Sequence, residues 1–262
     1  IHLSFLNNEI SQAETEIKTK MGITNKDKYV LIINRGKRYF EETFKDLDLS
    51  YHSYRYCSIQ DFLPMGNMLT KKDYFVIRMG QKVDDLMKTN NSKIIEYDEK
   101  GYRSDLLDIF LSANCKFIVG VDTGFYCVAG WNFRKPVVAV NFSQMEYIEP
   151  WLSNWLFIFR KYWSKSEKRF LKIHEIIKSG VGRLHRTEEI LSRGIELVDN
   201  TPEEIKEVVE EMELRLEKKW NYNEEDEEIQ KKFWSNFKLS PLHGAIRSRI
   251  GSKFLKKNLD LL

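Results

Sequence analysis

The chain has 262 residues, 42% hydrophobic and 31% charged, and its 42 Lys and Arg against 39 Asp and Glu leave a net charge of +3. That composition excludes a disordered chain, and the length allows one sizeable core or two small ones. The small charge, interspersed without a basic arm, excludes nucleic acid as an expected partner, and no apolar run approaches the ~20 residues that span a bilayer. Three widely spaced cysteines, Cys57, Cys115 and Cys127, form no metal-type pair and read as reduced, buried thiols of a cytoplasmic protein.

Residues 1–27 read as a polar helix or linker broken at Gly22. Tyr29–Asn34 (YVLIIN) is a buried strand, and Ser58 caps an expected helix to about Leu69 with Asp61 at its N3 position. Tyr74–Met79 and Lys93–Tyr97 are further strands. Ser104 is the N-cap of a helix whose Leu107, Phe110 and Leu111 recur at helical spacing. Cys115–Gly120 is the continuous apolar run of a buried parallel strand. Asp122-Thr123-Gly124 then turns the chain into another helix, and Pro136 introduces the strand Val137–Val140. Strands alternating with helices predict an α/β fold: a Rossmann-like, mostly parallel sheet over residues 28–150, flanked by helices.

After Pro150 the expectation is a mainly helical region, residues 151–262, packed on that sheet. Trp151–Trp163 (WLSNWLFIFRKYW) reads either as a buried strand or, with Arg160, Lys161 and Lys165, as a peripheral membrane contact. Residues 167–179 suggest an amphipathic helix and Gly194–Asp199 a short strand. Thr201-Pro202-Glu203-Glu204 is a capping box with proline at the first helical position, so a helix to about Lys219 follows, and two more helices finish the chain.

Small and polar residues at the carboxyl end of a parallel strand mark where ligands enter open α/β sheets. Asp122, Thr123 and Gly124 are therefore the leading donor-site candidates: glycine admits a phosphate close to backbone, and threonine donates a hydroxyl. The alternative is a tight turn only. Arg35 directly follows the first strand and offers a planar fork to a diphosphate, with Arg38 near enough to substitute. Arg55 and His52 lie in HSYRYCSIQD, the histidine as an acid–base candidate, while Arg78 ends another strand and can equally form an ion pair. Ser104 and Asp105 sit at a helix start, where capping explains them as well as ligand contact does. No metal constellation, Walker loop or nucleophile elbow is present.

"Ala-x-Cys-Lys-Phe-Ile-x-Gly, two residues, Thr-Gly" followed by "Lys-Pro-Val-Val" resembles the strand, donor loop and next strand in the nucleotide-sugar half of GT-B glycosyltransferases. VLIINR at Val30–Arg35, HSYRYCSIQD at His52–Asp61, VIRMG at Val76–Gly80, KIIEY at Lys93–Tyr97 and RSDLLDIFL at Arg103–Leu111 occur in the order of a bacterial glycosyltransferase family. NTPEEI at Asn200–Ile205, EMELRL at Glu211–Leu216 and RIGSKFLKKN at Arg249–Asn258 continue that order, so the resemblance covers roughly residues 28–262.

The resemblance implies a metal-independent transfer of sugar from a nucleotide-sugar donor to a hydroxyl acceptor, in glycan or polysaccharide synthesis. Arg35 and His52 would be catalytic, and Arg38, Arg55, Arg78, Ser104, Asp105, Asp122, Thr123 and Gly124 would bind substrate. No cofactor is expected beyond the donor itself. The acceptor would be a glycan or lipid-linked, which places the protein in the cytoplasm or at the inner face of the membrane. The GT-B type also carries an amino-terminal acceptor domain, for which residues 1–27 are too few. A non-catalytic sugar-nucleotide or carbohydrate-binding module, or an epimerase or hydrolase on the same scaffold, stands as the alternative.

Overall fold

The computed structural model describes residues 3–238 and 245–262. Its strands are β1 Lys28–Ile33, β2 Tyr74–Arg78, β3 Ile94–Glu96, β4 Ile118–Gly120, β5 Val137–Phe142 and β6 Trp155–Phe159, then β7 Lys161–Ser164, β8 Arg169–Phe170, β9 Ile195–Val198 and β10 Arg249–Ile250. The α-helices are α1 Asn7–Met21, α2 Arg38–Thr43, α3 Leu63–Thr70, α4 Asp105–Asn114 and α5 Gly124–Cys127, then α6 Ile173–Ser179, α7 Thr187–Ser192, α8 Pro202–Leu216, α9 Glu224–Trp234 and α10 Ser252–Lys257.

Seven strands form one sheet in the order β10-β6-β5-β4-β1-β2-β3, and every pairing is parallel. From β1 the chain steps outward through β2 and β3, then returns to the other side of β1 as β4, β5 and β6. This is the doubly wound Rossmann-like arrangement that the alternation of elements predicts. Its strand order reverses between β1 and β4, where diverging connections leave a crevice at the carboxyl ends.

The central strands are largely apolar because helices cover both faces. All residues of β5 and β6 are buried, as are all of β1 after Lys28. One helical group packs α3 and α10 on α8, which also lies on β5 and β6; the other packs α1 on α4. Local chemistry sets the helix limits. In α1, Ala13, Ile17 and Met21 are buried, and the helix stops at Gly22 in a left-handed conformation with φ 70°. Ser104 accepts a bond from the Leu107 amide at 3.2 Å to start α4. Thr201 and Glu204 complete the reciprocal capping box of α8.

Three expectations need correction. The sheet does not end near residue 150: Pro150 marks only a turn, and the five-residue apolar run of β6 extends the sheet beyond β5. Residues 164–262 are less helical than expected, because β7 pairs antiparallel with both β8 and β9 in a separate small sheet. That pairing also confines the helix expected over 167–179 to α6. Trp155, Phe157 and Phe159 are core residues, while Lys161 pairs with Glu204 at 3.0 Å. Positions 1 and 2 of the expected amino-terminal helix lie outside the described residues. No described helix is long and apolar enough to cross a membrane.

Candidate functional site

The crevice at the strand-order reversal is held open by two close approaches. Ile33 of β1 is in register with Gly120 of β4, and a Cβ on Gly120 would lie 2.6 Å from Ile33 Cγ2 and 3.0 Å from its carbonyl oxygen. After β1, Gly36 passes so near Asp84 that any Cβ would overlap the carboxylate. Asp84 in turn accepts bonds from the amides of Lys37 at 2.9 Å and Arg38 at 2.7 Å, tying the loop after β1 to the loop after β2. Between them lies a cavity of about 370 Å³ whose walls include Arg35, Phe40, Lys82, Arg103, Thr123 and Gly124.

Arg35 is the central cation. Its guanidinium carbon sits 4.6 Å over the Phe40 ring, and its Nε is buried without a hydrogen-bond partner. Burial, then the neighbouring Arg55, lowers its pKa from an ordinary arginine value. Arg55 approaches the same edge from the 3₁₀ turn Ser50–Arg55, donating from Nε to the Tyr54 hydroxyl at 2.8 Å and lying 3.4 Å from Asp122. Thr123 immediately precedes α5; its hydroxyl is buried and also lacks a partner. Gly124 has open space where a side chain would be and does not adopt positive φ. The turns after β1 and β4 thus bring Arg35 and Thr123, each with a buried and unpartnered polar atom, to the wall of one cavity.

The turn carrying His52 and Arg55 is fixed from behind by Arg160, the residue between β6 and β7. Buried Arg160 donates to the Tyr54 and Tyr56 carbonyls, bonds Ser143 at 3.0 Å and pairs with Asp199 at 2.6 Å. The membrane reading of this arginine therefore gives way to an internal brace. His52 has a buried, unpartnered Nδ1. Its pKa falls to about 4, first through burial and then through Arg55, Arg35, His185 and Arg186. In the ligand-free protein it is neutral near pH 7 and lacks the second ring proton that an imidazolium would donate as an acid.

Other candidates have structural employment. Arg38 is solvent-exposed, ion-paired to Glu42 at 2.6 Å and absent from the cavity wall. Arg78 borders the cavity, but its two terminal nitrogens are engaged by the Asp85 carbonyl, Glu96 at 3.3 Å and Asn34 at 3.1 Å. Ser104 is a helix cap, and Asp105 projects into solvent from the first turn of α4. Neither is among the residues lining the cavity.

Sequence reasoning missed Asp84 and Glu149, while Arg103 and Asp108 form an ion pair of 2.7 Å on the cavity wall. The Asn-Arg-Gly sequence after β1 signals a close approach at Gly36, yet nothing local identifies Asp84 as the group approached. Glu149 follows β5 and has an unpartnered buried oxygen; burial, aided by Asp122, raises its pKa to about 7.

Fold and crevice together define a doubly wound α/β protein with a cationic cleft at its strand-order reversal. No protein-family model matches the sequence, and no curated protein matches it. Among solved structures it is similar to a glycosyl transferase family 9 protein from Veillonella parvula, with 13% identity and a TM-score of 0.44. The alignment covers 70% of this chain and 47% of that one, so the chain spans about half the length of that protein.

Proposed function

We propose that the protein is a glycosyltransferase of the GT-B type that binds a nucleotide-sugar donor in the cleft between β1 and β4. The observation that carries this reading is that Arg35 and Thr123, each with a buried polar atom that lacks a partner, line one cavity. Buried donors are ordinarily hydrogen-bonded, and two such residues on the wall of a cavity at a ligand-binding switch point suit the oxygens of a diphosphate and ribose. Arg35, with Arg55 behind it, supplies positive charge for a departing diphosphate, while the open space at Gly124 admits the ligand beside backbone. The acceptor in this reading is a hydroxyl, carried on a glycan or lipid.

A thermal-shift panel of UDP-, GDP-, ADP- and dTDP-sugars tests the proposal. A ligand at one hundred times its dissociation constant stabilises by ~2.7 kcal/mol, a readily measured rise in melting temperature. Stabilisation by one donor, lost in Arg35→Ala, is the expected result, and slow release of free sugar would distinguish an enzyme from a binding module. No shift with any donor would overturn the reading.

A further inference from the structure

His52 lies in the middle of a row of three rings with an arginine at each end. The Arg186 guanidinium carbon is 4.7 Å over the Tyr51 ring, Tyr51 is 4.0 Å from the His52 ring, His52 is 6.3 Å from Phe40, and Phe40 lies 4.6 Å below Arg35. Arg55 closes the arrangement from the same 3₁₀ turn. The charged groups acting on the imidazole are Arg35 from the loop after β1, Arg55 from its own turn, and His185 and Arg186 from the segment before α7. All carry or can carry positive charge. The carboxylate of this cluster, Asp122, already faces Arg55.

Such surroundings keep the ring neutral, since an imidazolium would lose its hydration and add another charge beside arginines. The same geometry reverses when an anion enters. A diphosphate against Arg35 and Arg55 offsets their repulsion at His52, and the unpartnered Nδ1 becomes a donor with an acceptor to find. We infer that His52 takes up a proton from solvent when the diphosphate of the sugar nucleotide settles against Arg35 and Arg55, so the imidazolium exists only in the loaded site. This rests on the sugar-nucleotide reading and adds a preference of the site for fully ionised diphosphates.

A sugar nucleotide is a suitable probe because its diphosphate diester carries no group titrating between pH 5 and 8. Titration calorimetry at pH 6 with the donor identified by the panel, in two buffers of different ionisation enthalpy, reads the proton count directly. Wild type should take up close to one proton, and its affinity should rise as pH falls from 8 to 6, by at most tenfold per pH unit. His52→Gln should still bind, with no proton uptake and a flat pH profile.

Binding without proton uptake, or equal uptake in His52→Gln, overturns the inference and leaves the sugar-nucleotide reading standing. Failure of every donor to bind overturns both. Independently of any ligand, the His52 ring signals of the free protein should titrate with a midpoint near 4 by NMR. A free-protein midpoint near 6.5, the unperturbed value, overturns the inference outright.

Discussion

Asn141 and Asn200 hold each other through their main chains: the backbone N–H of each donates to the side-chain oxygen of the other at 2.6 Å. Both are buried, and Asn200 also donates to the Phe159 carbonyl at 2.9 Å. The pair fastens β5 to the segment entering α8. Asn200→Ala strands the Asn141 amide and the Phe159 carbonyl, and should cost about 2–4 kcal/mol at the usual penalty for orphaned buried groups. Urea unfolding should show a lower midpoint with unchanged slope. Asn141 has φ 51°, so Asn141→Ala should be more destabilising than Asn141→Gly, by about 1 kcal/mol of left-handed strain.

Arg35 and Arg78 should separate binding from folding. Arg35→Ala is expected to weaken donor binding by ~1.5–3 kcal/mol, the scale of a charged hydrogen bond, with little loss of stability. Arg35→Lys should recover only part, because a point charge cannot reproduce a planar fork. Arg78→Ala breaks a buried ion pair with Glu96 and should instead lower folding stability by ~3 kcal/mol or more. Calorimetric affinities and urea midpoints on the three variants check the division. Equal affinity in wild type and Arg35→Ala would remove Arg35 from the site.

The turn after β4 offers a steric test. A valine at Gly124 meets no protein atom within 4 Å at its Cβ and needs no positive φ, so Gly124→Val should fold normally. It should nevertheless exclude the donor by filling the space beside Thr123. Thr123→Val keeps the shape, deletes the hydroxyl and should weaken binding by only ~1 kcal/mol. Nucleotide titrations on variants of matched melting temperature decide the point. Wild-type affinity in both would make this turn structural.

Glu149 predicts a pH dependence of stability. Its folded pKa of about 7 exceeds the unfolded value near 4.3, so the folded state binds this proton more tightly. The contribution of Glu149 to stability is therefore greatest below about pH 4, declines as pH rises to about 7, and levels off above it. Glu149→Gln removes the ionisation. It should stabilise the protein at pH 8 by on the order of 1–3 kcal/mol and change little at pH 4. Urea unfolding at the two pH values measures the difference, and an equal effect at both would show that ionisation is not its cause.

Hydrophobic pattern and capping residues alone mark β1 to β5 and the limits of the principal helices, but not β10. Tyr29–Ile33 can be little but a strand covered on both faces, because a continuous apolar run of that length has no solvent side. Ser104, Thr201 and Gly22 set helix ends through bonds and dihedrals confined to neighbouring residues. Tertiary structure alone decided which polar side chains meet. Arg35 and Arg38 both follow β1, yet the Phe40 ring and the cavity receive the first while Glu42 takes the second. Asp84 reaches the Lys37 amide across 47 residues of sequence, and His52 is stripped of its charge by burial and then by arginines from three separate segments. Hydrophobic period and capping are short-range properties that one strand or turn displays in full, whereas the partner and charge of a polar group depend on loops that only the folded sheet brings together.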